Sequence, residues 1–397
     1  MTLYEFALTG PRGDNPLGFL AALGALVTLE ENGRGARLGW DAFTPRLCVS
    51  SDALPEAHNS GEPQSREVLI QVLSALLRRE RGSAAAVADE AKKEMKRAKA
   101  AVKKKREDIK GRKLGRAAAK EARQVELLPL EENAREKERL FKLALMKSAA
   151  DPCVALGTNL TATNGELTSY FEAAGAECSS SNRGWIDISA SYGVSDPNRP
   201  DERMLSSPWA LIRGDSQQNF LESVENIMTL CGPEHLKQAL FGPWIPRDMK
   251  YSLRWDTADD RRYALMEQDP TAGGNEPKTL WGANRLAFEA LRFFPAMPVR
   301  GGMGVVGWRA ATPDSWQEDC AVRWPLWDKP VSVVVVRSLL GLRDIWRDDA
   351  ATRNRLRALG VSAVMESRRI GFGQATSRKY NLTPAGAVWA SAKHVAR

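Results

Sequence analysis

From Ser83 to Arg123 the chain runs without a proline through a stretch dominated by Ala, Lys, Glu and Arg. These are strong helix formers, but the apolar stripe is thin. Met95, Val102 and Ile109 recur every seven residues, with little besides alanine between them. A segment like this buries no core of its own, so it either pairs with another helix or stays a disordered charge run. A helical pattern over Arg66–Arg81, with Val68, Leu69, Val72, Leu73, Leu76 and Leu77 on one side, precedes it. A break at Gly111 and Gly115, then Pro129, precedes another helix carrying Leu140, Phe141, Leu143, Ala144 and Leu145. Residues 66–150 thus read as a projecting basic helical hairpin inserted into an α/β body. An arm of about 28 residues at about 1.5 Å each reaches about 40 Å.

Charge is distributed very unevenly. Lys92–Arg123 holds 15 Lys/Arg against 4 Asp/Glu, a net +11. Arg337–Arg397 holds 12 against 4, a net +8; with +8 for the whole chain, the remainder carries −11. Clustered Lys and Arg release counterions from phosphate backbones, so an acidic body bearing two basic segments points to a polyanion partner. The alternative is a solvated helix face with a basic tail.

Other classes fit less well. The chain has no apolar run near the ~20 residues of a membrane span, and Met1–Phe6 lacks the pattern of a signal peptide. Five scattered cysteines without a C-x-x-C pair suit a reducing compartment, so a cytoplasmic protein is expected. Three histidines and no H-E-x-x-H, Cys/His quartet or EF-hand loop give no reason to expect a metal or another cofactor.

Along the chain, Leu3–Thr9 alternates as a strand, and Gly10–Asp14 is a loop. Asn15 and Pro16 cap a helix whose apolar stripe runs from Leu17 to Leu29, followed by two short strands near Arg37–Trp40 and Arg46–Ser50. Glycine, proline and tryptophan become frequent over 151–336. Helical patterns there cover Ser216–Leu230, Glu234–Phe241 and Trp281–Phe293, and a hairpin is expected from Tyr251–Trp255 with Tyr263–Leu265. Strand patterns cover Val305–Trp308 and Ala321–Trp324. In 337–397, a helix over Ala350–Leu359 precedes strands over Ser362–Phe372 and Ser377–Leu382, the outline of a winged helix. The expected fold is α+β. Its mixed α/β body comprises 1–65 and 151–336, the hairpin 66–150 is inserted, and 337–397 forms a basic C-terminal helix–hairpin subdomain.

Three motifs deserve testing. Gly302-Met303-Gly304-Val305-Val306-Gly307 matches the dinucleotide fingerprint by letter, but Trp308–Pro313 follows where a helix should begin, so it reads as a loop or bulged strand. The Gly10–Asn15 loop has the strand-to-helix context in which free amides hold a phosphate, and equally that of a tight turn with a good cap. Asp256, Asp259 and Asp260 are a conceivable Mg²⁺ site for nuclease chemistry, yet adjacent Arg261 and Arg262 favour a solvated turn. No catalytic residue is assigned. Twelve tryptophans, eleven of them from Trp185 onward, are expected in cores or interfaces.

Certain strings resemble a known family. Gly13–Gly24 (GDNPLGFLAALG), Leu253-Arg254-Trp255-Asp256 with Asp260–Leu265 (DRRYAL), Trp281–Ala287 (WGANRLA) and Trp324-Pro325-Leu326-Trp327 together resemble the large subunit of the type I-G (formerly I-U) CRISPR Cascade complex. The matching strings run from residue 13 to about 327, and the basic hairpin matches nothing in that pattern. The resemblance implies a non-catalytic subunit that binds duplex DNA, reads the protospacer-adjacent motif and supports strand separation. Its implied partners are guide RNA, target DNA, the backbone and RNA-end-binding subunits, and a helicase–nuclease recruited later. No membrane is involved. The residues themselves suggest contacts: Lys103, Lys104, Lys105, Arg106, Arg112, Lys113 and Arg116 for phosphates. Arg368, Arg369, Arg378 and Lys379 would act likewise, with Gln374 for a base edge and Arg12 and Asn15 as second candidates for motif reading. The competing expectations are a winged-helix transcriptional regulator and an Asp256-based nuclease.

Overall fold

The computed structural model describes residues 3–54, 61–78, 85–148, 165, 167–168, 170–172, 183–195, 204–212, 220–257, 278–299, 302–310, 320–372, 379–391 and 394. The fold is a mixed α+β one and divides into two compact units: a body of Met1–Arg78 with Thr158–Arg397, and a helical unit of Arg79–Gly157.

The body opens as its sequence suggests. Strand β1 (Leu3–Ala7) leads to helix α1 (Pro16–Glu31) and the hairpin β2 (Arg37–Asp41) and β3 (Thr44–Ser50). β3 lies between β1 and β2, antiparallel to both. Asn15 caps α1 by accepting the Gly18 N–H on Oδ1 at 3.2 Å, and Pro16 occupies the first turn. Of the 16 residues of α1, 14 are buried, so this helix is the centre of the body rather than a surface element. Helix α2 (Glu62–Leu77) follows and belongs to the body. The boundary expected at residue 66 is therefore corrected to 79: the Leu69–Ile70–Leu73–Leu77 face of α2 is buried.

The helical unit contains α3 (Ala85–Gly111), α4 (Arg116–Ala122) and α5 (Leu128–Ser148). At 27 residues, α3 is about 40 Å long. The seven-residue stripe does pack: Met95, Val102 and Ile109 are buried, the last two in a seam with Ala98, Ala122, Leu127 and Ala134. Alanine dominates this seam because small side chains let the helices approach closely. Between α4 and α5 the chain widens into a π-turn at Arg123–Leu127, just before Pro129. Proline offers no amide and its ring crowds the preceding turn, and the wider turn accommodates both.

The body resumes with α6 (Arg183–Ser189), the ribbon β4 (Gly193–Ser195) with β5 (Met204–Ser206), and helices α7 (Phe220–Leu230) and α8 (Pro233–Phe241). A two-residue ribbon, β6 (Asp248–Met249) with β7 (Lys278–Thr279), precedes α9 (Trp281–Glu289). Gly24 is the crossing point of α1 and α9: a Cβ there would sit 1.8 Å from the Leu286 carbonyl oxygen, so only glycine permits the approach. Next come β8 (Ala296–Val299), β9 (Gly302–Val305) and β10 (Trp308–Ala310). The glycine-rich motif is thus strand, turn and strand, with Gly307 at φ +74° in the turn. No helix follows it to meet a pyrophosphate.

The last part is one antiparallel sheet, ordered β10, β11 (Cys320–Trp327), β12 (Val361–Phe372), β13 (Lys379–Leu382), with β14 (Gly386–Ala390) also paired to β12. Between β11 and β12 lie α10 (Val333–Leu340) and α11 (Ala350–Ala358). This corrects the expected boundary at 337. β12 pairs with β11 from Cys320↔Arg369 to Trp327↔Val361, so the C-terminal strands are part of the body's sheet. The hairpin expected from Tyr251–Trp255 has no strand on its first side, and Tyr263–Leu265 lies outside the described residues.

Candidate nucleic-acid interface

The Leu253–Asp256 and Trp324–Trp327 strings meet the Gly13–Gly24 string at one loop, and the Trp281–Ala287 string crosses the helix that follows it. Trp324 Nε1 donates to the Gly13 carbonyl at 2.8 Å, and Asn15 Nδ2 donates to Asp256 Oδ1 at 2.9 Å across 241 residues of sequence. α9, which contains the Trp281–Ala287 string, crosses α1 at Gly24. Phe19 stacks on Trp40 and Trp324 at centroid distances of 5.7 and 5.5 Å, and Trp327 meets Trp40 edge-on at 6.1 Å. A second aromatic group joins Trp209, Trp255, Trp308 and Phe294. Six of the twelve tryptophans are buried in these two groups, and Trp389 is buried on β14, which accounts for much of the aromatic richness by packing.

Three of the loop's five amides are engaged by the fold. Gly10 N–H donates to Leu240 O, Gly13 N–H to Phe43 O and Asn15 N–H to Arg12 O, while Asn15 Oδ1 takes the Gly18 amide. These donors are closed to a phosphate, and the tight, capped turn is the better description. What faces outward is Arg12, whose side chain is 55% exposed. Asp14 holds one edge of its guanidinium, which donates Nε to Oδ1 at 2.8 Å and Nη2 to Oδ2 at 2.5 Å, and Phe43 lies under it at 5.3 Å. The Asp14 hydrogen bonds push the Arg12 pKa up, and a guanidinium fixed in plane is suited to bidentate recognition. Asp256 is buried beside this loop and accepts the Asn15 amide hydrogen bond. Asp259, Asp260, Arg261 and Arg262 lie outside the described residues, and those that are described contain no cluster of three His, Cys, Asp or Glu able to hold a metal.

The hairpin cations divide into two sets. Lys105, Arg106 and Arg112 are paired across it: Lys105 Nζ with Glu126 at 2.7 Å and Asp108 at 3.3 Å, Arg106 with Glu131 at 2.6 Å, Arg112 with Asp108 at 2.6 Å and Glu126 at 2.9 Å. The Glu126 and Asp108 hydrogen bonds raise the Lys105 and Arg112 pKa values, and those cations in turn lower both carboxylates. Lys103, Lys104, Lys113 and Arg116 are exposed and have no carboxylate partner among the described residues. Of the seven hairpin residues expected to bind phosphate, three therefore hold the hairpin together and four are available.

The C-terminal candidates fare differently. Arg368 is 60% exposed, with Nε 3.4 Å from Glu366. Arg369 is a correction: it is 1% exposed, and its guanidinium lies 3.9 Å over the Tyr380 ring, so it packs the sheet and does not reach a phosphate. Its position follows from alternation along β12, which turns neighbouring residues to opposite faces. Lys379 pairs with Phe372 in the strand register; Gln374 and Arg378 lie outside the described residues.

Sequence reading missed Lys110, Lys120 and Arg123, which join Lys113 around a cleft at the hairpin's turn. The i, i+3 spacing of Lys110 with Lys113 and of Lys120 with Arg123 was the available signal. No described helix is long and apolar enough to cross a membrane. No family model matches the chain, and no curated protein matches its sequence.

Proposed function

We propose that this chain is the non-catalytic large subunit of a type I-G CRISPR surveillance complex, binding target duplex DNA in the cytoplasm through its basic segments. The observation that supports this reading is the convergence of the Gly13–Gly24, Leu253–Asp256, Trp281–Ala287 and Trp324–Trp327 strings. Segments separated by hundreds of residues join through Trp324–Gly13, Asn15–Asp256 and the α1–α9 crossing. Such a set behaves as one scaffold, with Arg12 presented beside it. In this reading the guide RNA supplies sequence discrimination, and the protein reads a short motif and backbone shape. Arg12 is the first candidate for a base edge; Lys103, Lys104, Lys113, Arg116 and Arg368 contact phosphates without sequence preference.

The test is native purification of the tagged protein, with sequencing of bound RNA and identification of co-purifying chains. Repeat-flanked guide RNA with several stoichiometric partners is the expected result. A lone chain free of guide RNA overturns the reading.

A further inference from the structure

The turn end of the hairpin contains a cleft of about 880 Å³, and of its lining cations the phosphate-binding reading uses only Lys113. One wall is Arg106, Lys110 and Lys113, at i, i+4 and i+7 of α3 and its exit; the other is Lys120 and Arg123, at i and i+3. The single carboxylate on the rim, Glu131, is already tied to Arg106 at 2.6 Å. Lys110, Lys113, Lys120 and Arg123 have no carboxylate partner among the described residues. Two rows of like charge facing each other repel, and this arrangement is stabilised by an anionic occupant.

The floor identifies the kind of anion. It is aliphatic, formed by Ile109, Leu114, Leu127 and Leu128, and no aromatic side chain lines the cleft. Leu114 and Leu128 are 38% and 42% exposed, so this apolar surface is open to a ligand. A nucleic-acid single strand would satisfy the cations but find no ring to stack on, and a duplex would leave the aliphatic floor uncovered. An amphipathic helix satisfies both parts, with aliphatic residues on the floor and Asp or Glu along its flanks. The volume agrees: a helix about 10 Å wide fills it with about two turns.

The geometry points to this cleft as a docking site for an acidic amphipathic helix of a partner protein. The inference stands apart from the CRISPR reading, since it rests on the lining of the cleft alone. Its test uses the full chain and fluorescence anisotropy with a labelled peptide of about 15 residues, long enough to form helix. The peptide carries leucines at i, i+3, i+4 and i+7, with glutamates beside them. The comparison probes are a peptide of the same composition with its leucines scattered around the helix, and an oligothymidylate of equal charge.

The striped peptide is expected to bind at least about tenfold tighter than the scattered one. Lys110→Glu with Lys120→Glu, and separately Leu114→Asn with Leu128→Asn, are expected to weaken it by about tenfold. Lys96→Glu with Arg97→Glu, an equal charge change at exposed positions elsewhere on α3, leaves it nearly unchanged. Circular dichroism of each variant checks that the hairpin remains helical. Equal binding of the two peptides, or indifference to the leucine changes, overturns the inference. Tighter binding of the oligothymidylate, lost with the same lysines, overturns it in favour of a nucleic-acid site.

Discussion

The helical unit of residues 79–157 and the body are held together by different forces. The helical unit has a seam of alanines with Val102, Ile109 and Leu127, flanked by ion pairs on its surface, including Lys99–Glu138, Lys137–Glu94 and Arg106–Glu131. Exposed pairs contribute little each and are screened by salt. The body instead buries stacked tryptophans and a charged network inside its helices. Arg285, 1% exposed, donates Nη1 to Glu289 at 2.6 Å, and Arg292 joins Glu289 to Glu31. Arg285 Nη2 also donates to the Leu77 carbonyl at 3.2 Å, fixing the end of α2. One unit is therefore sensitive to salt and acid, and the other to packing and to loss of a buried charge.

The largest effect is expected at Glu289. Glu289→Ala leaves Arg285 and Arg292 buried without their shared counter-charge, which costs about 3–5 kcal/mol. Thermal unfolding checks this, and hydrogen exchange over residues 85–148 should change less than over α1 and α9. Gly24→Ala comes next. The new methyl collides with backbone at Leu286, so about 1–3 kcal/mol is lost, with exchange again rising at the α1–α9 crossing. Ile109→Ala probes the other unit. It removes the largest seam residue near the turn and costs about 2 kcal/mol, the low end for such a truncation, because the seam is narrow. Faster exchange over residues 85–148 at an unchanged melting temperature of the body is the expected pattern.

Acid separates the units more gently. Asp108 and Glu126 are held below their ordinary values of 3.8 and 4.5 by hydrogen bonds from Arg112 and Lys105. Above pH 4.5 these carboxylates are ionised in both folded and unfolded chains, and the stabilisation is fully present. As pH falls through the folded-state values, the pairs protonate and it is lost. Exchange over residues 105–131 is expected to quicken as pH drops below about 4, after correction for the intrinsic rate; an unchanged protection factor would remove these pairs from the account.

What could be read from sequence differs between the units for a physical reason. The Met95–Val102–Ile109 spacing is local, so the hairpin's helices and their buried edge were visible at once. Its ion pairs were not: Arg112–Glu126 and Arg106–Glu131 join different helices, and the lysine run showed only charge. Asn15 was legible as a cap from its neighbours, while its bond to Asp256 depends on tertiary packing. Arg369 looked like one of a basic pair with Arg368. Its burial against Tyr380 depends on the register that places Gly371 opposite Tyr380, which composition does not encode. The pairing of β11 with β12 was hidden similarly, because it joins strands separated by two helices.

The central claim is that polyanion binding resides in hairpin cations left free of partners. The most direct measurement is the salt dependence of duplex-DNA affinity for the full chain and for Lys103→Ala/Lys104→Ala/Arg116→Ala. Each phosphate contact contributes about −0.9 to the slope of log affinity against log salt, so the variant should bind more weakly with a slope shallower by up to about 2.7. Unchanged affinity and an unchanged slope would contradict the claim.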